Sequence, residues 1–204
     1  MMESIYGQYE SNLERLMQDV TSKIEQYSKE HEEKTGEKMY EHLSCRIKSD
    51  GSMREKLKKK SLPENAYSAL RSVKDSVGFR IVCLFIDDVY QNVEKIRNIS
   101  GCKIVKEKDY IKNVKPNGYR SYHMILDFET EFPDIEGNVP GHYYVEVQLR
   151  TIAMDTWAAL EHELKYKKNI SNPEIILSEL GRCANELASC DVSMQTIKNM
   201  IRED

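Results

Sequence analysis

Apolar residues recur along the chain with two periods, and the switches between them mark the elements. Ile5, Tyr9, Leu13, Leu16, Val20 and Ile24 fall at three- and four-residue spacing, which predicts an amphipathic helix over about 4–32. Met39 to Lys48 reads as a short strand. Gly51-Ser52 predicts the start of a short basic helix with Ser52 as its N-cap, and Pro63 predicts another helix to about Val73. The segment 79–86, FRIVCLFI, is apolar on both faces, as a central strand is. Asp87-Asp88 reads as the cap of a helix running to about Ile99. Residues 102–110 read as a strand and VKPNGYRS as a loop that turns at Asn117-Gly118. Strands are predicted at 121–129 and 142–150, joined by a loop containing Pro and Gly. Thr151 starts a helix through Tyr166, with Ala153, Trp157, Leu160 and Leu164 as its core positions, and Pro173 opens a last helix or pair of helices. Helices before and after a strand set predict an α+β fold, a mixed sheet of about five strands with helices against it. The length of 204 residues fits one domain, with an N-terminal helix over about 1–36, a core over 37–168 and C-terminal helices over 169–204.

Composition removes several classes of function. No apolar run approaches the roughly 18 residues of a membrane span, and MMESIYGQYESNLERL has neither the basic nor the apolar region of a secretory signal. Cys45, Cys83, Cys102, Cys183 and Cys190 are odd in number and show no CxxC spacing, so free thiols in a cytoplasm are expected rather than a zinc site or a disulfide scaffold. The net charge of −4 argues mildly against polyanion partners, but it hides blocks. Residues 46–60 carry seven bases and two acids, and residues 103–120 carry six bases and two acids. Residues 127–163 carry nine acids and one base. A basic run is often only a solvated helix face. Two of them, with isolated carboxylates elsewhere, also suit polyphosphate ligands and a metal between the phosphates.

The strand YYVEVQLR sets Tyr144, Glu146, Gln148 and Arg150 on one face and Tyr143, Val145, Val147 and Leu149 on the other. A mid-strand carboxylate is badly placed unless a cation covers it. An exposed antiparallel face is the alternative. SYHMILDF alternates in the same way, with Ser121, His123, Ile125 and Asp127 on its more polar face. Two such strands form a polar floor, on which His123 reads as a substrate contact rather than a base. Asp75 and Arg80 flank Gly78 at the start of a strand, an arrangement that suits a metal–phosphate pair or a plain surface turn. Tyr119 stands among Lys112, Lys115 and Arg120 and suits base stacking, or anchors its loop on the core. Glu161 and His162 are one residue apart, which is not the spacing of a helical metal pair. Periodicity does not decide whether Asp155 and Glu161 face the floor or water.

Four segments together resemble the synthetase domain of RelA/SpoT homologues, specifically a stand-alone small alarmone synthetase of the RelQ type. RIKSDGS fits R-x-K-x-x-x-S, and DSVGFR fits D-x-x-G-x-R. DYIKNVKPNGYRSYH fits D-Y-I…K-P-N-G-Y-R-S-x-H, and VEVQLRTIAMDTWAALEHELKYK fits E-x-Q-x-R-T…M…W-A…E-H. Each is modest alone; all four in order, from about residue 40 to 168, are specific. The resemblance implies transfer of the β,γ-pyrophosphate of ATP to the ribose 3′-hydroxyl of GDP or GTP, with GMP as a further acceptor. The products are (p)ppGpp-type alarmones and AMP. It implies that Arg46 and Arg80 sandwich the adenine, and that Lys48, Ser52 and Lys56 hold ATP phosphates. Asp75 matches a Mg²⁺ ligand, and Glu146 a carboxylate that places the metal or takes the 3′-hydroxyl proton. Tyr119 matches the aromatic that stacks on guanine, and Lys112, His123 and Gln148 match acceptor contacts. A homotetramer is implied, with single-stranded RNA left open as a side partner and no membrane. Other acceptors, such as an adenine nucleotide or an RNA 3′ end, and a non-catalytic nucleotide- or RNA-binding module, are the alternatives. No His-Asp pair of the family's hydrolase domain is seen, so degradation of the alarmone is not expected.

Overall fold

A computed structural model describes residues 4–166 and 172–203 of the chain. In order its elements are α1 (Glu10–Thr35), β1 (His42–Ile47), α2 (Asp50–Lys59), β2 (Val77–Cys83), α3 (Ile86–Arg97), β3 (Cys102–Asp109), β4 (Tyr122–Thr130), β5 (Gly141–Thr151), α4 (Ile152–Tyr166) and α5 (Pro173–Glu203). The five strands form one mixed sheet in the order β1-β2-β5-β4-β3. Only β2 and β5 run parallel; the other pairs are antiparallel. This is the α+β architecture that the patterning predicts.

The two-residue period divides the sheet into two faces. On one, Val77, Phe79 and Ile81 of β2, Met124, Leu126 and Phe128 of β4, and Val145, Val147 and Leu149 of β5 are buried. They form a single cluster with Leu13, Leu16, Val20 and Ile24 of α1 and with Val89, Val93 and Ile96 of α3. Each such side chain contributes roughly 1.5–3 kcal/mol when fully withdrawn from water. The opposite face keeps its polar side chains partly accessible, and it carries the site.

Several boundaries differ from the sequence-based expectation. Residues 7–9 form a 3₁₀ turn, and α1 proper begins at Glu10. Ser52 is not an N-cap: α2 starts at Asp50, its N-cap is Ser49, and the Ser49 and Ser52 hydroxyls lie 2.9 Å apart. The helix expected after Pro63 forms over 66–72, and its last five residues, Ser68–Ser72, take π geometry. Its approach is held by the Asn65 side chain, which accepts from the Ser68 N–H at 2.8 Å. The strand expected at 79–86 spans Val77–Cys83, because Ile86 already begins α3. Phe85 is the N-cap of α3; Asp88 reaches back to accept from the Phe85 N–H at 3.3 Å. Leu160 is 55% exposed, so the buried line of α4 runs through Met154, Trp157 and Glu161 instead. Thr151 does open α4, its hydroxyl accepting from the Met154 N–H at 3.2 Å.

Candidate active site

Register across the polar face lays the predicted residues in two rows. Arg46, Gly78, Glu146 and Ile125 lie opposite one another on β1, β2, β5 and β4. Ser44, Arg80, Gln148, His123 and Lys108 form the next row across all five strands. Gly78 leaves a gap beside Glu146: a Cβ built there would meet nothing within 4 Å. The gap opens into a cleft of about 190 Å³ lined by Arg46, Lys48, Asp75, Gly78, Arg80 and Glu146 among others.

Asp75 sits just before β2, with its side chain 13% exposed. Lys48, between β1 and α2, donates to Asp75 Oδ2 at 2.5 Å, and Lys56, two turns into α2, donates to the same oxygen. Burial pushes the Asp75 carboxyl up, but the hydrogen bonds and charges of Lys48 and Lys56 outweigh it and hold the group below the usual carboxylate range. Asp75 Oδ1 is buried and has no hydrogen-bond partner. An orphaned carboxylate oxygen in a cationic cleft fits a hard metal ion. No group of three or more His, Cys, Asp and Glu among the described residues is placed to hold a metal, so any ion here takes its remaining ligands from phosphate oxygens and water. Ser52 lies one turn before Lys56, exposed, and does not line the cleft.

Glu146 is held from two sides. Gln148 donates to Oε2 at 3.0 Å, and His123 Nδ1 lies 3.5 Å from Oε1. Burial raises the Glu146 carboxyl and the charge of Asp75 adds to that; contacts with His123 and Gln148 win, leaving it below the ordinary value. Beyond His123 the contacts continue, with Tyr119 Oη 2.7 Å from His123 Nε2. Arg150 Nη2 donates to the same phenol oxygen at 2.8 Å. Arginine can only donate, so the phenol oxygen accepts from Arg150 and its own proton is free to reach Nε2.

The loop bearing Tyr119 is clamped to the two C-terminal helices. Gly118 has φ +89°, and its Cα lies against Gly181 and Ala184 of α5. Arg120 donates to the Ala184 carbonyl and to Asn185 Oδ1, each at 3.1 Å, and Asn117 donates to Glu161 Oε1 at 3.1 Å. Lys115 lies 4.5 Å from the Tyr119 ring centre, and the ring meets Tyr110 and Trp157 edge-on. Tyr119 is thus both a ring among cations and an anchor of its loop. Lys112 stands apart from this group: its ammonium covers the Tyr90 ring at 5.0 Å, and its backbone N–H bonds to Asp109. Arg150 and Asp155, which sequence reasoning left without a role, are joined by an ion pair at 2.9 Å. For Arg150 a signal was present in its place on the polar face of β5.

The family model described as the region found in RelA / SpoT proteins matches residues 45–171. The chain belongs to the RelA/SpoT family. Within it, the chain is 38% identical over 166 residues to the GTP pyrophosphokinase YwaC of Bacillus subtilis, covering 81% of this chain and 77% of that one. It is 32% identical over 163 residues to the GTP pyrophosphokinase YjbM of the same organism, covering 80% and 74%. The fold superposes with a TM-score of 0.80 on the crystal structure of small alarmone synthetase 1 from Bacillus subtilis bound to its product pppGpp, at 29% identity and over 93% and 94% of the two chains. This RelA/SpoT chain is therefore of the stand-alone small alarmone synthetase type, with the same mixed sheet and terminal helices.

Proposed function

We infer that the protein is a GTP pyrophosphokinase that makes (p)ppGpp-type alarmones, moving the β,γ-pyrophosphate of ATP to the ribose 3′-hydroxyl of GDP or GTP, or of GMP. One observation carries the assignment of the chemistry to this cleft. Two half-buried carboxylates, Asp75 and Glu146, line one cleft with Lys48, and Lys56 pairs with Asp75 beside it. Phosphoryl-type transfer needs positioning and charge compensation more than covalent help.

Arg46 and Arg80 line the cleft on neighbouring strands, and their guanidinium planes suit an adenine between them. Lys48 and Lys56 hold the ATP phosphates, with the exposed Ser52, one turn before Lys56 on α2, as a further phosphate contact of this reading. Asp75 and Glu146 would hold a Mg²⁺ ion, which would supply positive charge to offset the phosphate oxygens. Glu146 accepts the hydrogen bond of the 3′-hydroxyl and orients it at the β-phosphorus. Its lowered carboxyl makes it an orienting and charge-stabilising group ahead of a strong base. The 3′-oxygen bonds to the β-phosphorus as the bond from that phosphorus to the bridging oxygen breaks; the hydroxyl proton passes along its hydrogen bond to Glu146 and on to solvent, and AMP leaves with the bridging oxygen. Tyr119 offers a ring for the guanine, His123 and Gln148 hold Glu146 and the acceptor ribose, and Lys112 meets the acceptor phosphates by leaving the Tyr90 ring that it covers here.

A homotetramer belongs to this reading and is supported by the exposed apolar side chains Ile175, Leu177, Val192 and Met200 along α5. Single-stranded RNA as a side partner is supported by the exposed Lys103, Lys106 and Lys108 on the edge strand β3. A cytoplasmic place for a single-domain protein is supported by five free cysteines. No described helix is long and apolar enough to cross a membrane. The test is incubation with labelled ATP, Mg²⁺ and each of GMP, GDP and GTP, followed by nucleotide separation. AMP and a 3′-pyrophosphorylated guanosine are expected; absence of both refutes the assignment.

A further inference from the structure

One carboxylate oxygen in the cleft region serves two arginines. Asp155 Oδ1, in the first turn of α4, lies 2.9 Å from Arg150 Nη1 and 3.4 Å from Arg80 Nη1. The two arginines lead in opposite directions. Arg80 lines the cleft beside Asp75 and Lys48, and its buried Nε has no hydrogen-bond partner. Arg150, its side chain 6% exposed, spends its other terminal nitrogen on Tyr119 Oη and Gln148 Oε1, both at 2.8 Å, and its Nε lies 3.4 Å from Ser121 Oγ. Those contacts continue through His123 to Glu146. Two guanidinium groups sharing one oxygen repel each other, and the carboxylate between them is what makes their closeness tolerable.

We propose that Asp155 is a positioning residue that ties the two substrate sites together, fixing Arg80 on the ATP side and Arg150–Tyr119 on the acceptor side from a single point. The proposal rests on the reading of Arg80 and Tyr119 given above. Removing the carboxylate frees Arg80, whose Nε already lacks a partner, and leaves Arg150 with an unmatched charge beside the Tyr119 phenol. Both binding sites then loosen, although Asp155 itself sits on neither the transferred group nor the nucleophile.

The test compares Asp155→Ala and the nearly isosteric Asp155→Asn with the unaltered protein. KM is measured for ATP and for the acceptor, and binding of a non-hydrolysable ATP analogue is measured by calorimetry with no acceptor present. Asp155→Ala is expected to raise both KM values about tenfold, the low end for a charged hydrogen bond at a partly exposed site, and to weaken analogue binding by the same factor. Asp155→Asn keeps an acceptor oxygen and loses the charge, so it falls between the two. Movement of the acceptor KM alone, with analogue binding unchanged, overturns the coupling, as does movement of the ATP terms alone. No movement in either KM, once the folded fraction is matched by circular dichroism, reduces Asp155 to a structural ion pair and also overturns it. An unaltered protein that binds the analogue and makes no transfer product sinks the pyrophosphokinase reading by itself, while the analogue arm still decides whether Asp155 governs the ATP side.

Discussion

Gly118→Ala tests how the acceptor loop is held. The residue sits at φ +89°, and a Cβ there would come within 2.5 Å of Ala184 Cβ, far inside ordinary contact. Placing a side chain in that region of backbone costs about 1–3 kcal/mol, and relieving the overlap costs about 1–3 kcal/mol more. The loop has one escape, which is to lift off α5. That forfeits the two Arg120 bonds to Ala184 and Asn185 and the Asn117–Glu161 bond, three contacts worth about 0.5–1.5 kcal/mol each. The first route therefore costs about 2–6 kcal/mol and the second about 1.5–4.5 kcal/mol. In a chain of this size each kcal/mol lowers Tm by about 2–4 °C, so the cheaper route gives a drop of roughly 3–18 °C by calorimetry. Lifting the loop also displaces Tyr119, so the acceptor KM rises while the ATP KM holds. Ala184→Gly in the same chain removes the overlap and leaves the backbone strain, recovering about half the loss after its own helix penalty is subtracted. A Gly118→Ala protein with Tm within about 1 °C of the original and an unchanged acceptor KM would refute the clamp.

Other consequences follow from the same contacts. Glu146→Gln is expected to lower kcat by about 10²–10⁴ with only a small change in Tm, since the amide keeps the shape and its one oxygen still accepts from either His123 or Gln148; retention of more than a tenth of the rate excludes a central role. Asp75→Asn should raise the Mg²⁺ concentration needed for half-maximal rate, and a chelator should abolish turnover until Mg²⁺ is restored; the readout is initial rate against free Mg²⁺. Burial raises the Asp191 carboxyl although Thr151 donates to it at 2.7 Å, so the folded state binds its proton more readily than the unfolded one and this group costs stability as pH rises from about 4. Asp191→Asn is therefore expected to raise Tm near pH 7 and to lose that advantage below about pH 4, where both proteins are neutral at this position; thermal melts across pH check the sign. Tyr119→Phe keeps the ring and removes the contacts to Arg150 and His123, so steady-state kinetics should show kcat falling more than acceptor affinity.

The polar face of β4 and β5 was legible because a two-residue period fixes side-chain direction once a strand is assumed: Tyr144, Glu146, Gln148 and His123 stand where alternation puts them. What alternation cannot supply is strand order. That Gly78 lies opposite Glu146 depends on β2 and β5 pairing in parallel, a long-range event with no local signal. The same limit hid the Arg80–Asp155 contact, which joins β2 to α4 across 75 positions of chain. The helix expected after Pro63 is present but starts later, at 66, and widens into a π turn, where Ser76 Oγ donates to the Ala69 carbonyl at 2.6 Å. Lys112 was grouped with Tyr119 by sequence proximity, yet Asp109, just before it, accepts from the Ile111 and Lys112 N–H groups, and in that turn the lysine covers Tyr90. The Ser52 cap failed by a shift of three residues: Ser49 and Ser52 are both competent caps by residue type, and the helix takes the earlier one.

The empty space above Gly78 also makes this position a handle for separating folding from turnover. A methyl group there meets no atom within 4 Å and asks no unusual backbone of its residue, so the sheet, both carboxylates and all their partners stay as they are. The methyl instead fills room that any molecule approaching Glu146 must share. Gly78→Ala is thus a natural inert twin: the same charge, the same surfaces for partners and the same thermal stability, with the opening partly stoppered. In a cell it would separate what the protein does by being present from what it does by making product.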